Sequence, residues 1–170
     1  MMSPGLRRAA LTVHVACSVG WLGAALAYVT LNVPALASTD EATVRAAYLM
    51  MEPVAWYAVT PLAVASLVTG IIQSLGTPWG LLRHYWVLIS LGVTVFANLI
   101  LVLHLPAVSE LADRAATPGT DVFALGGDLA HSLGGLLLLL VPLVLNIYKP
   151  RGLTRRGWRA QRQRSAAPAR

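Results

Sequence analysis

Four apolar runs, each about 20 residues long, constrain this chain more than any other feature of its sequence. They cover about residues 9–31, 54–75, 85–105 and 129–148. A helix needs about 20 apolar residues to cross the hydrocarbon core of a bilayer. Because 56% of the 170 residues are apolar and only 12% are charged, the composition lies outside the range of soluble domains. We therefore predict an all-α integral membrane protein whose first partner is the lipid bilayer.

The length of the chain predicts one compact domain. Residues 1–150 hold four spans, which we expect to pack as an up-down-up-down four-helix transmembrane bundle. Between the first two spans, residues 38–51 predict a short interfacial helix on the outer side, with Ser38 and Glu41 at capping-box spacing. The basic tail, residues 151–170, has no apolar periodicity and is predicted to be disordered.

An alternative reading of the first span is a cleaved leader, since residues 35–37 read Ala-Leu-Ala, a sequence typical of a signal-peptidase site. The first apolar run exceeds the h-region of a signal peptide, which is about 7–15 residues. A retained membrane span is therefore the favoured interpretation.

The charges predict an orientation. With both termini in the cytoplasm of a plasma-membrane protein, 11 of the 13 basic residues lie inside and only Arg45 and Arg114 lie outside. All seven acidic residues then lie on the outer side. The net charge of +6 thus reflects membrane topology, and we expect no nucleic-acid partner. The sequence does not predict an oligomeric state.

Four histidines lie in or beside the spans and are the candidate ligands. The predicted topology puts His14 and His84 in the inner half of the membrane and His104 and His131 in the outer half. Ionisable residues within spans are often functional, and two imidazoles from different helices commonly hold a b-type haem. The sequence therefore predicts one inner and one outer pair, each shared between two helices.

Helix geometry favours the outer pair. At 1.5 Å per residue, His14 and His84 differ in depth by about 7 Å, whereas His104 and His131 differ by about 1.5 Å. The 20 residues from His84 to His104 turn the helix by about 200°, so these two rings face nearly opposite sides. His84, beside the interfacial Tyr85, is the weakest ligand candidate and is more simply an anchor at the membrane surface.

The favoured hypothesis is a b-type haem-binding, cytochrome-like electron-transfer protein with His104 and His131 as axial ligands and His14 next. Asp128, three residues before His131, is placed to accept the second ring proton of that histidine and fix its tautomer. A quinone or another redox partner would exchange the electrons. The alternative is a non-catalytic membrane subunit or scaffold in which His14, His104 and His131 are structural and Asp128 caps a helix.

Copper handling is a weaker hypothesis. Cys17 lies one turn from His14, and Met50 and Met51 are soft donors, but the two sets fall on opposite sides of the predicted membrane. The chain also lacks a phosphate-binding loop, a nucleophile triad and paired membrane carboxylates. These absences argue against hydrolase and nucleotide chemistry, and whether the chain is an enzyme stays open.

Several stretches resemble a family of small, uncharacterised four-span actinobacterial integral membrane proteins: residues 14–23, 74–87, 103–106 and 148–154. A span-one histidine followed by Trp-x-Gly, here His14, Trp21 and Gly23, is more distantly similar to the copper-resistance D family and to HemJ-type haem-binding membrane proteins. That similarity implies a haem-ligand role for His14. The HemJ-type pattern has a lysine in span three where this chain has Ser90, so the similarity does not extend to protoporphyrinogen oxidation.

Overall fold

The computed structural model describes residues 2–77 and 80–166, and their secondary structure is helical, with no strand in this part of the chain. The α-helices are α1 (Pro4–Ala37), α2 (Glu41–Val54), α3 (Thr60–Gly76), α4 (Tyr85–Ala116), α5 (Leu129–Tyr148) and α6 (Arg155–Ala166). Helices α1, α4 and α5 and the continuous stretch Glu41–Gly76 are long and apolar enough to cross a membrane. The prediction of an all-α chain with four such helices is confirmed.

The predicted interfacial helix exists as α2, but it is joined to the next span instead of standing apart. A π-helical turn, Ala55–Val59, connects α2 to α3 without a break. The N-cap of α2 is Asp40 and not Ser38: the Asp40 carboxylate accepts hydrogen bonds from the hydroxyl and the backbone N–H of Thr43. These two bonds hold the pKa of Asp40 below its usual value. Ser38 supports the cap by accepting from the backbone N–H of Asp40.

Helix α4 continues beyond the predicted end of the third span. The sequence predicted that the third span ends at about residue 105, yet the helix runs through Pro106 to Ala116. Interior proline removes one backbone hydrogen bond but does not oblige a membrane helix to stop. Arg45 of α2 stabilises the extension, because its guanidinium donates to the backbone oxygens of Ala115, Thr117 and Thr120 and pairs with Glu41.

The buried core lies mainly where α2 packs against α1 and α4. Fully buried side chains there include Val44, Tyr48, Met51 and Ala115. By contrast, only 6% of the residues in the most apolar 18-residue stretch of α1, and likewise of α5, are buried. Large apolar side chains on these two helices are exposed. Exposed apolar faces on long helices are compatible with a lipid environment.

Three segments meet at the opposite end of the molecule. The backbone N–H of Met2 donates to the carbonyl of Gly76, and that of Tyr85 donates to Gly152. Thr154 donates to the carbonyl of Arg83 and accepts from the backbone N–H of Gly157, which caps α6. The segment after residue 150 is thereby attached to the start of α4.

The tail differs from its predicted disorder over much of its length. Arginine, alanine and glutamine are good helix formers, and with the Thr154 cap the described part of the tail forms α6. Residues 167–170, which the same prediction covered, lie outside the described residues.

Candidate functional site

The structure brings His104 of α4 and His131 of α5 into direct contact. Their rings are stacked, with centroids 3.5 Å apart and an angle of 10° between the planes. His104 lies before Pro106 in the middle of the long α4, and His131 lies in the first turn of α5. Counting residues from the helix ends predicted this matched depth, whereas the stacked arrangement was not predicted.

A tight turn positions the start of α5. Asp121 caps the short 3-10 helix Val122–Leu125 by accepting from the backbone N–H of Phe123. Gly126 and Gly127 follow with φ angles of 79° and 68°, a left-handed conformation that glycine adopts at low cost. The chain then enters α5 with Asp128 directed between the helices.

Asp128 is the centre of the site, but its partner is not the predicted one. One carboxylate oxygen lies 2.8 Å from Nε2 of His104, and the other accepts from the hydroxyl of Tyr28 at 2.8 Å. The sequence predicted His131 as the partner of Asp128, whereas the structure assigns that position to His104. Asp128 begins α5 without a side-chain cap bond, because its carboxylate contacts α1 and α4 instead.

Two further polar residues, Asn32 and Ser132, hydrogen-bond to the backbone of Asp128, and the sequence did not identify either of them. Asn32 of α1 is completely buried; its side-chain oxygen accepts from the backbone N–H of Asp128 at 3.0 Å. Its amide nitrogen donates to the hydroxyl of Ser132 at 3.3 Å and to the carbonyl of Tyr28. Asn32 continues the buried face of α1 four residues after Tyr28, and this spacing is the signal that could have identified it.

The hydrogen bonds define the protonation of the cluster. An ionised carboxylate can only accept, so when Asp128 is ionised the proton of a neutral His104 lies on Nε2 and Nδ1 is the basic atom of the ring. Two positive charges stacked 3.5 Å apart would repel strongly in an apolar setting.

The cluster lines an apolar cavity of about 390 Å³, which we call the histidine cavity. Its walls are mainly Trp21, Phe96 and small or aliphatic side chains, and its polar groups are those of Tyr28, His104, Asp128, His131 and Ser132. Gly134 and Gly135 also line it, and a Cβ atom added at either position would meet no neighbouring atom within 4 Å. A mostly apolar cavity with a few convergent polar groups is typical of small-molecule sites.

The stacked pair does not fit bis-imidazole ligation of a haem as it stands. A nitrogen–iron bond lies in the plane of its imidazole, and two parallel rings 3.5 Å apart do not direct their nitrogens at one iron between them. Nε2 of His104 is also bonded to Asp128. His131, however, makes no hydrogen bond to any residue that the structure describes, so its ring nitrogens remain available within the histidine cavity.

The inner candidates lie elsewhere. His14 lines a second cavity, and its Nδ1 lies 3.1 Å from the hydroxyl of Thr69. Gly70 gives the His14 ring room, since an added Cβ would lie 3.0 Å from Cε1. His84 forms the N-cap of α4, with its ring centroid 6.3 Å from that of Trp86, and lines neither cavity.

The described residues show no multidentate metal site. Nowhere in residues 2–77 and 80–166 do three or more histidine, cysteine or acidic side chains group to hold a metal ion. Met51 is completely buried in the core, whereas Met50 is half exposed. The copper hypothesis therefore gains no support from a ligand cluster. Comparisons of the chain with protein-family models, curated proteins and solved structures found no match.

Proposed function

We propose that this chain is a multi-pass plasma-membrane protein, an up-down-up-down bundle with both termini in the cytoplasm. The four long apolar helices support the membrane location. The contact of Met2 with Gly76 and that of Tyr85 with Gly152 support antiparallel neighbours, because each joins the ends of different helices. The 11 basic residues on one predicted side support the orientation.

Within this bundle, the proposed function is to bind a membrane-soluble ligand of the quinone class in the histidine cavity. The observation that carries this proposal is the Tyr28–Asp128–His104 hydrogen-bonded chain at the wall of an apolar cavity of about 390 Å³. A quinone combines a flat apolar ring, which suits the aliphatic walls, with carbonyl oxygens that accept hydrogen bonds from imidazole N–H groups.

The cluster also suits proton exchange with such a ligand. Nδ1 of His104 is the basic atom of a ring held in one tautomer by Asp128, and His131 stacks directly on that ring. The hydroxyl of Tyr28 donates a second hydrogen bond to the same carboxylate. A cytochrome-like role in electron transfer would rest on this coupling of ligand binding to proton movement, with a quinone as the redox partner.

Ligand binding is tested with menadione, a naphthoquinone without an isoprenoid tail, added to the full chain in detergent. We expect saturable binding by calorimetry and a loss of affinity of about tenfold in His131→Leu, the cost of one hydrogen bond. His104→Leu should also weaken binding, because it removes the ring on which His131 is stacked. His84→Leu is the matched control and should bind as the wild type does, because His84 lines neither cavity. Equal affinity in all three variants would exclude the histidine cavity as the site.

A narrower haem b hypothesis is the second candidate. The free nitrogens of His131 and the open space at Gly134 and Gly135 favour it, with His131 as the axial ligand. When bound, haem would supply one-electron redox chemistry. In this arrangement His104, held by its hydrogen bond to Asp128, would orient His131 by stacking, while His14 and His84 would take no part.

The haem hypothesis is tested by the dithionite-reduced minus oxidised spectrum of the full chain, purified after expression with haem supply. We expect a Soret difference band in the wild type and in His84→Leu, and its loss in His131→Leu. No band in the wild type would reject haem. If menadione also fails to bind, the scaffold alternative with structural histidines is the one that stands.

A further inference from the structure

A second, larger cavity of about 690 Å³ lies towards the end of the molecule that carries the N-terminus. We call it the basic cavity, because Arg7, Arg8 and Lys149 line it and no acidic side chain does so among the described residues. It shares only Trp21 and Leu139 with the histidine cavity. The two cavities are therefore separate binding volumes.

The cations lie at one level of the basic cavity. Arg7 and Arg8 belong to the first turns of α1, and Lys149 directly follows α5. Further along the same helices, the cavity wall is formed by the apolar Leu11, Val15, Val19, Leu143 and Ile147. The cavity thus has a positive mouth and an apolar strip of wall leading away from it, beside polar side chains such as His14 and Asn146.

The wall also carries buried polar atoms without a partner. Ser90 is only 7% exposed and its hydroxyl makes no hydrogen bond to a described residue; the side-chain oxygen of Gln73 is likewise buried and unpaired. Buried polar atoms without a partner cost free energy, so each is expected to meet a ligand or water. Gln73 lies one turn before Gly76, which contacts Met2, and so lies near the level of the two arginines.

We infer that the basic cavity binds an anionic phospholipid whose head group carries hydroxyls, of the phosphatidylglycerol kind. The phosphate lies against the two arginines, since guanidinium groups bind phosphate through paired hydrogen bonds. A glycerol hydroxyl donates to the side-chain oxygen of Gln73, and one acyl chain follows the apolar wall. Basic pockets between membrane helices commonly bind such head groups. Zwitterionic phospholipids carry no net charge, so the positive residues at the mouth of the cavity should bind them more weakly.

The inference rests on the membrane location proposed above but not on the quinone or haem site. His131→Leu should consequently leave lipid binding unchanged, since His131 does not line the basic cavity. A wild type that binds the lipid but not menadione would reject the function proposed for the histidine cavity and leave the present inference standing.

The experiment is native mass spectrometry of the full chain in detergent with added phosphatidylglycerol, phosphatidic acid, phosphatidylcholine or glycerol phosphate. The wild type should bind phosphatidylglycerol about tenfold more tightly than phosphatidylcholine, and Arg7→Gln/Arg8→Gln should lose about tenfold in affinity. Arg159→Gln/Arg162→Gln removes the same charge from the exposed tail and should bind as the wild type does. Equal losses in both double variants would reject the basic cavity as the site.

A second variant removes no charge and tests the head-group contact. Gln73→Leu deletes an unpaired buried oxygen, so the chain should fold. It should lose the preference for phosphatidylglycerol over phosphatidic acid, which lacks the hydroxyls. An unchanged preference would reject the contact with Gln73. Glycerol phosphate binding as tightly as the lipid would show a site for a free head group and would overturn the phospholipid as its occupant.

Discussion

Replacing Asp128 with leucine is expected to lower the free energy of unfolding by about 2–4 kcal/mol. The leucine is close in size, but it accepts no hydrogen bond, so the hydroxyl of Tyr28 and Nε2–H of His104 both lose their partner. Both donors lie between apolar helices, where water replaces a lost partner poorly. The measurement is reversible unfolding in mixed micelles, followed by far-ultraviolet circular dichroism.

Two companion variants separate charge from hydrogen bonding. Asp128→Asn should lose less stability than Asp128→Leu, because the amide oxygen still accepts from Tyr28 and the amide nitrogen can donate to the other tautomer of His104. Asp113→Leu is the matched control: Asp113 is exposed and its side chain makes no hydrogen bond to a residue that the structure describes, so little change is expected. If Asp128→Leu and Asp113→Leu have the same free energy of unfolding, Asp128 does not join the three helices as described.

The four long apolar helices were predictable because the length of an apolar run is a local property of the sequence. A run of about 20 apolar residues predicts a crossing whatever the rest of the chain does. The helix ends were less predictable. Span three was expected to end at about residue 105, but α4 runs on to Ala116, where Arg45, 70 residues from Ala115 in the sequence, binds the carbonyl oxygens. That contact is visible only once α2 and α4 are packed together.

The site shows the same division between local and non-local information. The matched depth of His104 and His131 follows from counting residues along two helices. The partner of Asp128 does not follow from such counting. A spacing of three residues favoured His131, whereas the carboxylate contacts His104 and Tyr28 on two other helices. Spacing within one helix predicts which residues share a face, but the rotation of neighbouring helices decides which faces meet.

The cluster is described better as a junction of α1, α4 and α5 than as a pair of ligands. Helix α1 contributes the hydroxyl of Tyr28, α4 contributes His104, and α5 contributes Asp128, which bonds to both. A change in the histidine cavity therefore alters the contacts among three spans. For this reason each binding variant requires a stability measurement beside it, since a loss of affinity without a loss of stability is what identifies a ligand contact.

Asn32 provides the strongest test of this junction. Asn32→Leu should lower the free energy of unfolding by about 2–3 kcal/mol, because it leaves the buried N–H of Asp128 without an acceptor and removes the bond to Ser132. The matched control is Asn98→Leu. Asn98 is also buried, but among the described residues its side-chain amide hydrogen-bonds only to the carbonyl of Thr94 in its own helix.

The difference between the two leucine variants measures the link between helices. Asn98→Leu removes the side-chain amide of Asn98 but leaves no donor on another helix without a partner. We therefore expect it to change the free energy of unfolding very little. Asn32→Leu should also weaken menadione binding, since Asn32 holds the backbone of Asp128 and thereby positions the carboxylate that orients His104. Equal stability of the two variants would mean that α1 and α5 are held together by apolar packing, with Asp128 positioned by the Gly126-Gly127 turn alone.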